Sequence, residues 1–225
     1  MSDPALVRRD DPISTATLLF AVVMACYMAN GRTIWSWDTL PARYLPFSIL
    51  RHGTFYLDDF PALYAGHPQW EKALRQIDGH YVSFYPVGAP LVAAPFYAPA
   101  VLRGERRIDA RAEALEKVSA AAIVSLSAAL LYLALLHGTS RSIALLLTLA
   151  YAFGTSSFSV SSQALWQHGA SQLALAAALL VLIRARAGPD RWIVLVGFPL
   201  GMAAVSRPSN LLLVAPLALY AVASW

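Results

Sequence analysis

The chain has 225 residues, with 17 Lys and Arg against 13 Asp and Glu, a net charge of +4. Hydrophobic residues make up 58% and charged residues 13%, about half of the ~25% that dresses a soluble domain. That balance excludes disorder, and the single cysteine, Cys26, excludes an intramolecular disulfide or a multi-cysteine zinc site.

A bilayer crossing needs about 20 mostly apolar residues. The first expected span covers 13–30, behind Arg8 and Arg9. Those arginines, the apolar run and Val23-Met24-Ala25-Cys26 also outline a signal peptide ending at a lipidated cysteine. The spans downstream make a cleaved export signal unnecessary, and Met24 fits poorly at such a site.

Residues 31–117 form the long first loop, whose sizeable polar part is 31–85. A loop of that length is functional or disordered, and its Trp, Tyr, Phe and Leu content argues against disorder. Residues 38–53 read as a short interfacial helix. Asp38 or Thr39 would cap it, Pro41 sits in the first turn and Gly53 ends it. Pro46 weakens its middle. Leu40, Tyr44, Phe47 and Leu50 share one face, which suits a helix lying on a membrane. Residues 79–102 are uncharged but contain Pro86, Pro90, Pro95 and Pro99. Each proline removes a backbone donor, and lipid does not tolerate unpaired backbone. The expectation is a helix at the interface or buried against other helices, not a crossing.

Further spans are expected at 118–136, 142–158, 168–184, 191–206 and 209–225. The last runs to Trp225, as expected of part of a longer protein. The expected fold is therefore an all-α, polytopic membrane protein with about six transmembrane helices. Residues 1–12 form a cytoplasmic N-terminus, and 118–225 a helical bundle. Loop charge allows two topologies. With no crossing at 86–102, the basic residues near Arg141 and Arg184-Ala185-Arg186…Arg191 fall inside, while Arg103, Arg106, Arg107, Arg111 and Lys117 fall outside. A crossing there reverses these assignments. Loop charge slightly favours the second solution and the prolines favour the first, in which Asp38, Asp58, Asp59, His168 and Arg207 reach one outer face.

Asp38 stands just beyond the first span, after Trp37. It is either a helix cap or a general base, since a carboxylate near apolar surface gains proton affinity. Adjacent Asp58 and Asp59 are a solvated turn or a hold for a hard divalent ion such as Mg or Mn. His52, His67 and His80 are scattered without ligand spacing. His168 opens a span and Arg207 lies at a span junction, where charged groups are costly and often functional.

Trp37-Asp38-Thr39…Arg43-Tyr44…Leu50-Arg51-His52-Gly53, followed by Tyr85-Pro86-Val87-Gly88-Ala89-Pro90-Leu91 and short-looped spans, resembles the N-terminal part of the C-type (GT-C) integral-membrane glycosyltransferases. That superfamily includes protein O-mannosyltransferases and lipid A aminoarabinose transferases. The resemblance implies a sugar donor on a polyprenyl phosphate, its tail in a groove between helices. It also implies chemistry on the extracytoplasmic side, in the cell envelope of a bacterial inner membrane. Asp38 would act as base toward an unidentified acceptor hydroxyl. Arg43, Tyr44, His168 and Arg207 would bind the donor phosphate or substrate, with Asp58 and Asp59 as metal ligands. Many members carry a second acid directly after the first; here that position is Thr39.

Two other classes compete. A transporter or lipid flippase would prefer broken helices and ionisable groups near the bilayer centre. A non-catalytic membrane subunit fits the lone acid at position 38. The charge is spread over loops rather than gathered in a stripe, which argues against a nucleic-acid partner.

Overall fold

A computed structural model describes residues 11–66, 68–104, 108–187 and 190–223. His67, Arg8, Arg9, Arg106, Arg107 and the last two residues of the sixth expected span lie outside them. Eight helices and one hairpin run in the order α1 (Pro12–Ala29), α2 (Leu40–His52), β1 (Leu74–Ile77), β2 (His80–Ser83), α3 (Gly88–Leu102), α4 (Ile108–Leu135), α5 (Arg141–Gly154), α6 (Gln167–Ala187), α7 (Gly197–Ser206) and α8 (Leu211–Ala223). Among the described residues, three helical stretches are long and apolar enough to cross a membrane: Pro12–Ala29, Arg111–Leu135 and Gln167–Arg186. The remaining apolar helices are shorter. The 14 residues of α5 rise about 21 Å at ~1.5 Å each, less than a ~30 Å hydrocarbon core.

Asp11 starts α1 by accepting a hydrogen bond from the Ser14 amide at 3.2 Å, with Pro12 in the first turn. The helix then packs antiparallel to α4. Val23 and Tyr27 meet Ala121, Val124 and Ala128, while Ala16 and Leu19 meet Ala129 and Tyr132 further along. Alanines dominate the α4 side, and small residues let helices approach closely without a hydrophobic driving force. The same logic joins α4 to α6. A Cβ on Gly169 would stand 3.2 Å from the Val124 side chain. The far half of α6 packs on α7 and α8 through Ala178, Leu182, Leu200 and Ala221.

The expected span at 118–136 begins ten residues earlier, because Arg111, Glu113, Glu116 and Lys117 continue α4 instead of lying in a loop. The hairpin of β1 and β2 lies where no strand was expected. It pairs Leu74 with Ser83 and Ile77 with His80. Asp78 and Gly79 both take positive φ, 50° and 84°, as a two-residue hairpin turn with the right twist requires.

α2 ends as the sequence indicates, with Gly53 at φ 65° and its amide donating to the Ile49 carbonyl. Its apolar face differs from the expectation. Tyr44 and Phe47 are buried inside the protein, against Phe60 and, for Phe47, Tyr97 of α3 at 5.0 Å between rings. Leu50 is exposed. α3 links α7 to α4. A Cβ on Gly88 would stand 2.4 Å from the Ser206 Cα at the end of α7. Tyr97 shares a buried cluster with Ala112 and Ala120 of α4. Pro90 falls in the first turn of α3, where a missing donor costs nothing.

Candidate functional site

Four chain segments meet at one end of the bundle. The first follows α1. Thr39, not Asp38, takes the N-cap position of α2. Its hydroxyl accepts from the Ser36 amide at 3.0 Å and donates to the Ser36 carbonyl at 3.1 Å, closing the turn 36–39. Asp38 is left out of the capping, and its buried Oδ1 has no hydrogen-bond partner. A buried acceptor without a donor costs about 1–3 kcal/mol, so the turn leaves this carboxylate oxygen unsatisfied.

The second segment leads into α3. Tyr85 lies close enough to feel the Asp38 charge. Burial first, and then that charge, push its phenol up from the ordinary range, with Arg75 opposing. The third and fourth segments are the starts of α6 and the end of α7. His168 Nδ1 lies 3.1 Å from Arg207 Nη1, and the Asp38 charge acts on His168 as well. The guanidinium has no acceptor, so the pair fixes the imidazole tautomer: Nδ1 accepts, and Nε2 keeps the hydrogen. Asn210 braces this corner, donating to Ser171 Oγ and to the Ala203 carbonyl, both at 2.8 Å. Asp38, Tyr85, His168 and Arg207 thus form one mixed-charge group, assembled from residues up to 169 positions apart in sequence.

Hydrogen bonds between loops hold these segments together. Trp166 Nε1 donates to the Ile34 carbonyl at 3.0 Å, and the Trp166 ring stacks on His168. Behind them lies a buried network on α4. Glu116 binds Arg43 Nε at 2.7 Å and accepts from the Leu165 amide at 3.2 Å. Lys117 donates to Gln163 Oε1 at 2.7 Å, Asn30 Oδ1 at 3.2 Å and the Ser162 carbonyl at 3.3 Å. The end of α1, the start of α2 and the chain before α6 are therefore pinned to α4. Arg43 accordingly sits in a buried ion pair, and Tyr44 is buried in the core beside Phe60.

Asp58 and Asp59 do not converge. Asp58 accepts from the Tyr81 amide at 2.8 Å and pairs with His80 at 2.7 Å; Asp59 pairs with His52 at 2.9 Å. Among the described residues, no three His, Cys, Asp or Glu side chains gather at a metal-sized position. Partial burial works against the Asp58 charge. The Tyr81 amide and then His80 outweigh it, and the carboxyl falls below its usual value of 3.8.

Two concavities flank the mixed-charge group. An apolar groove of about 780 Å³ runs between α3, α6 and α7, lined by Leu91, Ala170, Ala174, Val181, Phe198 and Met202 among others. Its lining starts two residues after His168 and five residues before Arg207. On the other side, a cleft of about 720 Å³ lies between the loop at Ser36 and Trp37, the turn at Trp70, and β1 with Phe84 and Tyr85.

Reasoning from sequence missed Tyr85 and the α4 network. Glu116 and Lys117 carried a signal, since both lie in a helix apolar enough to cross a membrane, where ionisable groups need partners. Tyr85 carried none. No family model, curated protein or solved structure matches the chain.

Proposed function

We propose that the chain is a membrane-embedded glycosyltransferase that moves a sugar from a polyprenyl phosphate to an acceptor hydroxyl. The observation that carries this reading is the apolar groove whose lining begins two residues after His168 and five before Arg207, together with an unpartnered oxygen on Asp38, whose charge reaches His168. An isoprenoid tail suits an uncharged groove open to lipid. Its phosphate suits a guanidinium at the groove's end. A carboxylate with a free oxygen suits a hydroxyl that must lose a proton.

In this reading α1, α4 and α6 cross the bilayer. α5, α7 with its preceding turn, and α8 complete about six crossings by tilting or by thinning the bilayer locally. α3 does not cross: its first residue touches the end of α7 and its middle packs on the first turns of α4. The site then faces the extracytoplasmic side of a bacterial inner membrane.

The transfer runs as one displacement. Asp38 takes the acceptor proton. The acceptor oxygen bonds to the anomeric carbon as the bond from that carbon to the phosphate oxygen breaks. The electron pair leaves with the polyprenyl phosphate, and Arg207 meets the growing charge, as positioned cations do. The anomeric centre inverts. His168, its Nδ1 accepting from Arg207, holds the guanidinium in place and turns Nε2–H outward. Asp58 and Asp59 are each turned to a histidine, which does not suit a single divalent ion between them. No step here passes through a metal.

The test is turnover by the whole chain in lipid nanodiscs, given radiolabelled polyprenyl-phosphate sugars and a cell-envelope extract as acceptor. Consumption of a donor is expected, and Asp38→Asn is expected to slow it by about 10²–10⁴-fold. Equal rates for Asp38→Asn and the parent would sink the assignment.

A further inference from the structure

The cleft on the far side of Asp38 differs in kind from the groove. Its walls are aromatic faces: Trp37 from the loop after α1, Trp70 from the turn before β1, and Phe84 and Tyr85 from the chain after β2. Phe84 is 54% exposed, although large apolar side chains are usually covered. Glu71, Lys72, Arg75 and Gln76 line it as well, donors and acceptors of both signs with a net charge of +1. The rings are held in place. Trp70 packs edge-on against Tyr81 at 5.3 Å, Tyr85 OH donates to the Lys72 carbonyl at 3.1 Å, and the Arg75 guanidinium lies 4.0 Å from the Phe84 ring centre. Glu71 and Gln76 are exposed, and so is Lys72, whose ammonium donates to Gln69 Oε1 at 3.0 Å.

We propose that this cleft binds the acceptor, and that the acceptor is a saccharide. The inference rests on the transferase reading above and adds to it the class of the second substrate. A sugar ring has a face of C–H bonds, slightly positive, and an equator of hydroxyls. Aromatic faces carry the complementary negative charge, and a mixture of amide, carboxylate and cationic groups matches the hydroxyls. A charged polymer would ask for one sign of charge, and these walls mix Glu71 with Lys72 and Arg75, a net of only +1. A purely apolar partner would cover the Glu71 carboxylate and the Gln76 amide without offering them hydrogen bonds, at a cost. The cleft also leads to the reacting group. Tyr85 both lines it and feels the Asp38 charge, and Trp37 is the residue before Asp38. A saccharide stacked on Trp70 and Phe84 would send its terminal hydroxyl past Tyr85 to the carboxylate. The donor would arrive through the lipid-facing groove and the acceptor through the aromatic cleft.

The experiment uses the whole chain in nanodiscs. Saturation-transfer NMR and tryptophan fluorescence are recorded with four neutral tetrasaccharides (of glucose in α and in β linkage, of mannose and of N-acetylglucosamine) and with an uncharged Ser/Thr-rich decapeptide. At least one tetrasaccharide is expected to bind saturably in the millimolar range or tighter. Phe84→Ala and Trp70→Ala should each weaken it about tenfold, the size of one lost aromatic stacking contact. Phe84 is largely exposed, so its variant tests the cleft without a folding cost. Binding by the peptide alone, by no saccharide, or by saccharides equally well in both variants would overturn the proposal. Crosslinking of a photoactivatable polyprenyl phosphate, and its loss in Arg207→Ala, are read separately. Saccharide binding without lipid capture sinks the transferase reading, and lipid capture without saccharide binding sinks this one.

Discussion

Arg43 and Glu116 make the sharpest energetic statement at the level of single residues. The Glu116 side chain is wholly buried and Arg43 is 12% exposed, at 2.7 Å. Removing one partner strands a charge and costs about 3–5 kcal/mol, while replacing both with apolar groups of similar volume is close to neutral. Glu116→Gln is therefore expected to lower the thermal midpoint sharply, and Arg43→Met with Glu116→Gln, which keeps an acceptor for the Leu165 amide, to recover most of it. Equal loss in the single and double variants would mean that Arg43 has another task. Motif reading placed Arg43 and Tyr44 at the substrate because it sees spacing in one segment. Their partners, Glu116 and Phe60, lie in other segments, and no local pattern announces them. Asp58 gives a pH prediction. Its carboxyl is lower in the folded state than its ordinary value of 3.8. Its contribution is thus complete above that value and disappears as pH falls through the folded one. Amide exchange at Tyr81 should speed up in acid in the parent, and Asp58→Asn should flatten that dependence.

The elements were read from sequence with uneven success, for reasons that differ between them. α1 and α6 match their expected ends within a few residues, because an uninterrupted apolar run has one reading. α4 was cut short because its first turns carry five charged residues, Asp109 to Lys117. Charge normally ends a span, and here it continues a helix that α2 and the 163–165 segment cover. The hairpin was missed although Asp78-Gly79 stands between Ile77 and His80. A two-residue turn that demands positive φ at both positions is a strong signal, and the search for spans passed over it. Gly79→Ala is expected to loosen the hairpin, since φ 84° strains any side chain. α3 supplies the most restrictive position. At Gly88 a methyl group would meet main-chain atoms of Ser206 at 2.4 Å, and neither backbone can swing aside as a side chain can. Gly88→Ala should cost about 1–3 kcal/mol as overpacking does. It should also lower turnover, because Arg207 follows Ser206. A variant with parent turnover and melting would show that the two chains part easily.

A mostly helical chain with helices long and apolar enough to cross a membrane was legible in composition, and the position of the candidate site in it was not. Low charge and long apolar runs are properties of the chain, summed without knowing contacts. The meeting of Asp38, Tyr85, His168 and Arg207 depends on which ends of α3, α6 and α7 come together, and loop charge left that choice open. The groove tests the reading at this scale. Met202 is half-buried and lines it, so Met202→Trp should reduce crosslinking of a polyprenyl phosphate severalfold while melting stays near that of the parent. If crosslinking were unchanged, the tail would have to lie elsewhere. The main-chain contact between Gly88 and Ser206 also governs how this groove can open. It clamps α3 to α7 at the polar end only, like the spring of a clothes peg. In the proposed reading, any widening of the groove would fall toward Val181 and Phe198, away from this contact. Carriers of different length or branching would then leave their headgroup at the same height, and chain-length tolerance and headgroup selectivity become separate properties of one crevice.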